Sequence, residues 1–142
     1  PVQFAVSLGQ PLDMHCRAAG KLLLAALPRR ERLRWLGPEP WRAMTPATHT
    51  RWRTLDAELE RIAAMGIAWS RGESFTGVAS CNVGVTGVDG RVLAALGIEV
   101  AMPRLTAARE KELVAVLQRE AAALSQRLQQ QGITAHSLPQ HL

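Results

Sequence analysis

The sequence predicts an α+β fold, an antiparallel sheet with helices on its faces. Three observations carry this. Val2, Phe4, Val6 and Leu8 alternate with smaller or polar residues, the period-two pattern of a strand. Residues 78–86 and 91–100 form two longer runs around Asp89-Gly90, a pair that tolerates the positive φ of a tight hairpin. Leu113, Leu117, Ala121, Leu124 and Leu128 recur at spacings of three and four, an apolar helical stripe suited to packing on a sheet. A strand, then helices, then three strands and a last helix fits segregated helices over an antiparallel sheet.

The elements follow in order. After the strand at 2–8, Gly9-Gln10-Pro11 makes a turn. A helix is expected over 17–27, stopped by Pro28, and a second short one over 29–36, ended by Gly37-Pro38. Residues 37–53 are rich in Pro, Thr and Arg and are expected to be irregular. Thr54 is the expected N-cap of a helix to Met65, with Leu55, Leu59 and Ile62 on one face and Gly66 at its end. Strands follow at 67–71, 78–86 and 91–100. The last helix is expected to be capped by Thr106, to run to about Gln131 and to close at Gly132, with a loose tail beyond.

A length of 142 residues suits one domain, and 47% hydrophobic with 20% charged residues is enough to bury a core. No apolar run reaches the roughly 18–20 residues of a membrane span, and no signal peptide is visible. Two cysteines, Cys16 and Cys81, make no disulfide framework, so a cytoplasmic location with no membrane partner is expected. The net charge is +5, and seven arginines lie from Arg29 to Arg53. That clustering suits either an anionic partner or an ordinary solvated face. Trp35, Trp41 and Trp52 interleave with it, but no nucleic-acid signature accompanies them. The chain enters a strand directly after Pro1, which reads as a piece of a larger fold.

The chemistry-bearing patterns are few. Gly20-Lys21 invites a phosphate-loop reading, but that loop needs a glycine five residues before Gly20 and a hydroxyl after Lys21. His15 and Leu22 stand there instead, so nucleotide binding is set aside. Ala18, Ala19 and Gly20 read as small residues at a helix start, where backbone approaches backbone or leaves room for a small ligand. His15, Cys16 and Cys81 lack the spacing of a metal or nucleophile site, and no metal, cofactor or catalytic residue is assigned. Nothing in the pattern argues for an enzyme. In residues 69–85 the loop carboxylate Glu73, Gly77 and the small polar run Ala79-Ser80-Cys81 read either as the lining of a ligand pocket at a strand mouth or as an ordinary turn with small core residues. Along the next strand, alternation puts Leu93, Ala95, Gly97 and Glu99 on one face, opposite a wholly apolar one. The Gly97 and Glu99 pair leaves space and offers a polar contact, or else marks an exposed strand end.

These residues occur in an order that resembles a known family. His15-x-x-Ala18-Ala19-Gly20-Lys21-x-Leu23-Leu24-Ala25, followed by Leu27-Pro28, is similar to a stretch of the IclR family of bacterial transcriptional regulators. Leu55-x-x-Glu58-Leu59-x-x-Ile62-x-x-x-Gly66, Glu73-x-x-x-Gly77-Val78 with Asn82-Val83, and Asp89-Gly90-Arg91-Val92-x-Ala94-Ala95-Leu96 follow in the family's order, and Arg104-Leu105-Thr106 opens the last helix. The resemblance covers about residues 10–130.

The resemblance implies a GAF-like effector-binding domain over residues 1–142, a curved antiparallel sheet flanked by helices. The winged helix-turn-helix and the N-terminal part of the domain are expected to precede Pro1. It implies a small carboxylate effector, an oxo-acid or aromatic acid, and self-association as a dimer or tetramer. DNA is expected to be contacted only through the missing domain. The implied ligand positions fall on Phe4 and Leu12 as an apolar wall, on the Ala18 and Ala19 amides, and on Ser70, Ser80, Gly97 and Glu99. Arg17 stands where the family has a small residue, and its planar guanidinium suits a carboxylate. Glu99 is expected to accept from a ligand hydroxyl or to pair with Arg17 in the empty state. Trp35, Trp41 and Leu138 are the exposed apolar candidates for a subunit contact. The alternative is a free-standing GAF-like small-molecule-binding domain or an accessory domain of an enzyme.

Overall fold

The computed structural model describes residues 13–137. The expected strand at 2–8, Phe4, Leu12 and Leu138 lie outside the described residues. The helices are α1 (Ala18–Ala25), α2 (Arg29–Leu36), α3 (Trp52–Met65) and α4 (Ala107–Gln130). The strands are β1 (Ile67–Arg71), β2 (Val78–Thr86) and β3 (Val92–Ala101). Short 3₁₀ turns cover Met102–Arg104 and Ala135–Ser137. Among the described residues no helix is long and apolar enough to cross a membrane.

The three strands pair antiparallel in the order β1-β2-β3. The α1, α2 and α3 layer packs on one face and α4 on the other, which makes the architecture α+β as expected. Alternation along β2 divides the two faces. Cys81, Val83 and Val85 point to α4 and pack with Leu117 and Ala121. On the opposite side Leu22, Leu24, Leu55, Leu59 and Ile62 form a second core cluster with Ala68 of β1. The β2–β3 turn carries Gly90 at φ 72°, and a register shift between Val85 and Thr86 closes the ladder.

Several boundaries differ from expectation. Helix α3 begins at Trp52 with Arg51 as its N-cap, so Thr54 is not the cap. The Thr54 hydroxyl donates backward to the Arg51 carbonyl, 3.0 Å, and caps no amide. Thr106 does cap α4, accepting from the Arg109 amide at 3.2 Å, and Gly66 ends α3 at φ 69°. In α4, Leu124 faces solvent, and the buried position is Ser125, four residues after Ala121. Its hydroxyl donates to the Ala121 carbonyl and accepts from the Thr86 amide, tying the helix to the frayed end of β2. Trp41 is buried, 7% exposed, with its indole N–H on the Gly37 carbonyl, so it offers no subunit contact; Trp35 is 66% exposed. The apolar face of β3 is covered only in part: Leu96 packs toward α4, whereas Ala94 and Ile98 are exposed.

Part of the arginine cluster is occupied within the fold. Arg32, buried, donates to the Ala25 and Leu27 carbonyls at the end of α1 and pairs with Glu60 of α3. Arg29 pairs with Asp56. These contacts hold α2 across α1 and α3 and explain two of the seven arginines without an anionic partner.

Gly20 sits against the backbone of Met14, where a Cβ would lie 2.8 Å from the Met14 carbonyl oxygen and closer still to its Cα. Backbone cannot step aside as a side-chain tip can. Gly20→Ala is therefore expected to destabilise the chain by about 1–3 kcal/mol or more, read as a lower urea midpoint. An unchanged midpoint would show that the Met14 segment yields freely.

Candidate functional site

The α1 start is built by short-range bonds. The Arg17 and Cys16 amides both donate to the Asp13 carbonyl, and the Cys16 carbonyl accepts from Ser70 Oγ at 2.7 Å and Ser74 Oγ at 2.9 Å. Helix α1 is thereby pinned over β1 and the turn after it. No side chain caps its N-terminus and no acidic residue lies in its first turn. The first intrahelical bond runs from the Lys21 amide to the Arg17 carbonyl, which leaves the preceding amides without a helical acceptor.

That end of α1 opens on a cavity of about 530 Å³. Its lining includes Arg17, Ala18, Ala19, Ser70, Ser80, Gly97 and Glu99. All seven sequence-derived positions within the described residues therefore meet in one concavity. Strand register explains the sheet side: Ser70, Ser80 and Glu99 form one row across β1, β2 and β3, and Ala68, Asn82 and Gly97 form the next. Cys81 alternates to the opposite face, so the expected hydroxyl-and-thiol mouth reduces to Ser80.

The side chains differ in what they can offer. Arg17 lies over the Phe75 ring at 5.3 Å and makes no ion pair among the described residues. It does not pair with Glu99 here. Ser70 has committed its proton to the Cys16 carbonyl, so toward a ligand it is an acceptor. Ser80 and Glu99 have no hydrogen-bond partner among the described residues. Ser74, Phe75, Val78 and Asn82 also line the cavity and were not anticipated. The signal for Asn82 was its two-residue spacing from Ser80 on a strand, which places both on one face.

One turn further along α1 from Arg17 lies a charged cluster that the sequence did not suggest. Lys21 is fully buried, and its Nζ lies 2.8 Å from Glu58 Oε1 and 2.8 Å from both Glu73 oxygens. Arg61 and His49 approach the other Glu58 oxygen at 3.0 Å and 3.9 Å. Thr48 Oγ1 donates to the Glu73 carbonyl at 2.7 Å and Thr45 Oγ1 to the Gly72 carbonyl at 2.6 Å, so the irregular segment locks the turn that carries Glu73. Among the described residues His49, Glu58 and Glu73 are the group spaced for a metal, with ligand atoms within 4.8 Å. The Lys21 ammonium already holds both carboxylates, and a cation would have to displace it. His15 Nε2–H donates to the Arg42 carbonyl at 2.8 Å, and among the described residues His15 joins neither thiol in a metal cluster.

A second concavity of about 630 Å³ runs between α3, β1 and α4, lined by Ile62, Met65, Trp69 and Val114 among others. None of the sequence-derived positions lies there.

The family model described as the bacterial transcriptional regulator IclR C-terminal domain matches residues 2–126. The chain belongs to the IclR family. Its likeness to the IclR effector-binding domain makes the fold GAF-like. The probable transcriptional regulator SauR of Cupriavidus necator is 33% identical over 106 residues, which cover 75% of this chain and 42% of that protein. The chain thus spans less than half the length of this relative. The C-terminal domain of the E. coli transcriptional regulator KdgR superimposes with a TM-score of 0.76 at 28% identity, over 81% of this chain and 70% of that one. The inducer-binding domain of the PobR transcription factor from Acinetobacter, a double mutant in complex with 3-hydroxybenzoic acid, gives a TM-score of 0.76 at 26% identity, over 84% of this chain and 69% of that one. These relatives are transcriptional regulators.

Electrostatics in this IclR domain set its protonation states. Burial pushes the Cys81 thiol up to about 11 and raises Cys16 as well, so both stay protonated near neutrality and neither is an activated nucleophile. For Glu58, burial alone would raise the carboxyl, but the Lys21 hydrogen bond and charge, with Arg61 and His49, outweigh it and hold it below its ordinary value. A depressed carboxylate contributes stability above its unfolded pKa of about 4.3 and loses it as pH falls through the folded value. Glu58→Gln is expected to flatten the fall in urea midpoint between about pH 5 and pH 3. An identical slope in the variant would show that Glu58 does not carry it.

Proposed function

We propose that the cavity at the α1 N-terminus is the effector site of a transcriptional regulator, and that its ligand is a small carboxylate, an oxo-acid or an aromatic acid. The observation that carries this reading is the uncapped helix start beside Arg17, a cation with no ionic partner among the described residues. Orphan amides and the helix dipole favour an anion there, and a guanidinium holds a carboxylate through two charge-assisted bonds. The complex of the PobR domain with 3-hydroxybenzoic acid supports the same class.

Ser80 donates a further hydrogen bond, while Ser70 accepts one. Effector binding acts by favouring one of two states of a dimer or tetramer, and so changes the placement of the helix-turn-helix domains that precede this domain in the family. DNA is contacted through those domains alone. The domain senses a ligand and catalyses no reaction, needs no cofactor, and works in the cytoplasm. Trp35, exposed at the end of α2, is the apolar residue best placed for a subunit contact.

Calorimetry with 3-hydroxybenzoate and pyruvate tests the reading. Arg17→Ala is expected to weaken the tighter acid by about 1.5–3 kcal/mol, roughly ten- to 150-fold, the cost of a hydrogen bond to a charged group. Undiminished affinity in the variant would remove Arg17 from the site.

A further inference from the structure

Asn82 is the least expected residue on the cavity floor. Its register partners are Ala68 on β1 and Gly97 on β3, both small. Its carboxamide occupies the space a side chain at position 97 would take: a Cβ there would lie 2.6 Å from Asn82 Oδ1 and overlap the rest of the amide. Gly97 is therefore required by Asn82, and its lack of a side chain does not simply enlarge the cavity. The Asn82 side chain lies across the β3 backbone toward the α1 side of the sheet.

Its environment has no use for an amide. Asn82 is 8% exposed, yet its carboxamide makes no hydrogen bond among the described residues. No fully enclosed side-chain nitrogen or oxygen among those residues lacks a partner. The remaining access of the Asn82 amide is thus to the cavity it lines. An amide so placed can bond only to what occupies the cavity, whereas an aliphatic side chain would fill the same volume with no such need. The amide is accounted for if the occupant of the cavity bonds to it.

The chemistry of that occupant follows from the neighbours. The carboxylate end is drawn to Arg17 and the α1 amides. At the Asn82 end Glu99 is an acceptor only and disfavours a second carboxylate. An ammonium would pair with Glu99 but leave the Asn82 N–H groups unbonded. An apolar end would leave both amide atoms unbonded. A hydroxyl both donates and accepts, and matches Nδ2 and Oδ1 together.

We propose that Asn82, seated on Gly97, selects the effector, and that the preferred ligand is an acid bearing a hydroxyl group bound by the Asn82 carboxamide. This rests on the reading of the cavity as a carboxylate site. Calorimetry with matched pairs, 3-hydroxybenzoate against benzoate and lactate against propionate, on wild type, Asn82→Ala and Gly97→Ala tests it. The wild type is expected to favour the hydroxylated member of at least one pair by about tenfold or more, and both variants to reduce that ratio below about twofold. Gly97→Ala keeps the amide but drives it from its seat, so it carries the test if Asn82→Ala fails to fold. Equal affinity for both members in the wild type, or wild-type selectivity in both variants, overturns the proposal. If the wild type binds neither member of either pair, the carboxylate reading itself fails and the proposal falls with it.

Discussion

A lysine ammonium with no exposed surface must have its charge met inside the protein, because desolvating an unpaired cation costs several kcal/mol. Lys21 meets this by drawing in Glu58 from α3 and Glu73 from the turn after β1, each at 2.8 Å. The three groups are satisfied together only when α1, α3 and the sheet are all in place. This fixes both the position and the rotation of α1. Lys21 sits one turn after Arg17, Ala18 and Ala19, so locking it inward aims the helix start at the cavity. The Gly-Lys pair that resembles a phosphate loop serves here as an internal anchor, and the glycine lets α1 close on the Met14 backbone.

The sheet supplies the other half of the arrangement. On β2 the period of two gives Cys81, Val83 and Val85 to the α4 core and Ser80 and Asn82 to the cavity. A slip of one residue would exchange the two sets, burying amide and hydroxyl against α4 and turning valines to the cavity. The ladder is held against that slip at its end, where Ser125 accepts from the Thr86 amide beside the register shift. Ser70 and Ser74 then couple the sheet to α1 through the Cys16 carbonyl. The helix start is thereby linked mechanically to β1 and the turn carrying Glu73.

Patterns of short period were legible in the sequence. The β2 bounds, the Gly66 terminus of α3 and the Thr106 cap all follow from local chemistry. The Thr54 cap did not, because a hydroxyl near a helix start can bond backward as well as cap, and only the chain direction before it decides. The cavity positions emerged through the family resemblance and strand alternation together. Lys21 with Glu58 and Glu73 was invisible because its partners lie 37 and 52 residues away, with no spacing rule between them. The Asn82–Gly97 contact was hidden for a related reason. Gly97 was noticed as a gap and Asn82 only within a family motif, and only the β2–β3 register puts one on the other. Trp41 was misjudged because burial of an indole depends on the loop fold around it, which composition does not encode.

The buried Lys21 cluster couples α1 to the rest of the fold. A double-mutant cycle with Lys21→Met and Glu73→Gln, read by urea denaturation, tests it most directly. Each single change leaves buried charge or polarity uncompensated and is expected to cost about 3–5 kcal/mol, with the double variant losing clearly less than the sum. Losses that add to within about 0.5 kcal/mol would show that the two groups act independently, and would contradict the anchor on which the cavity depends.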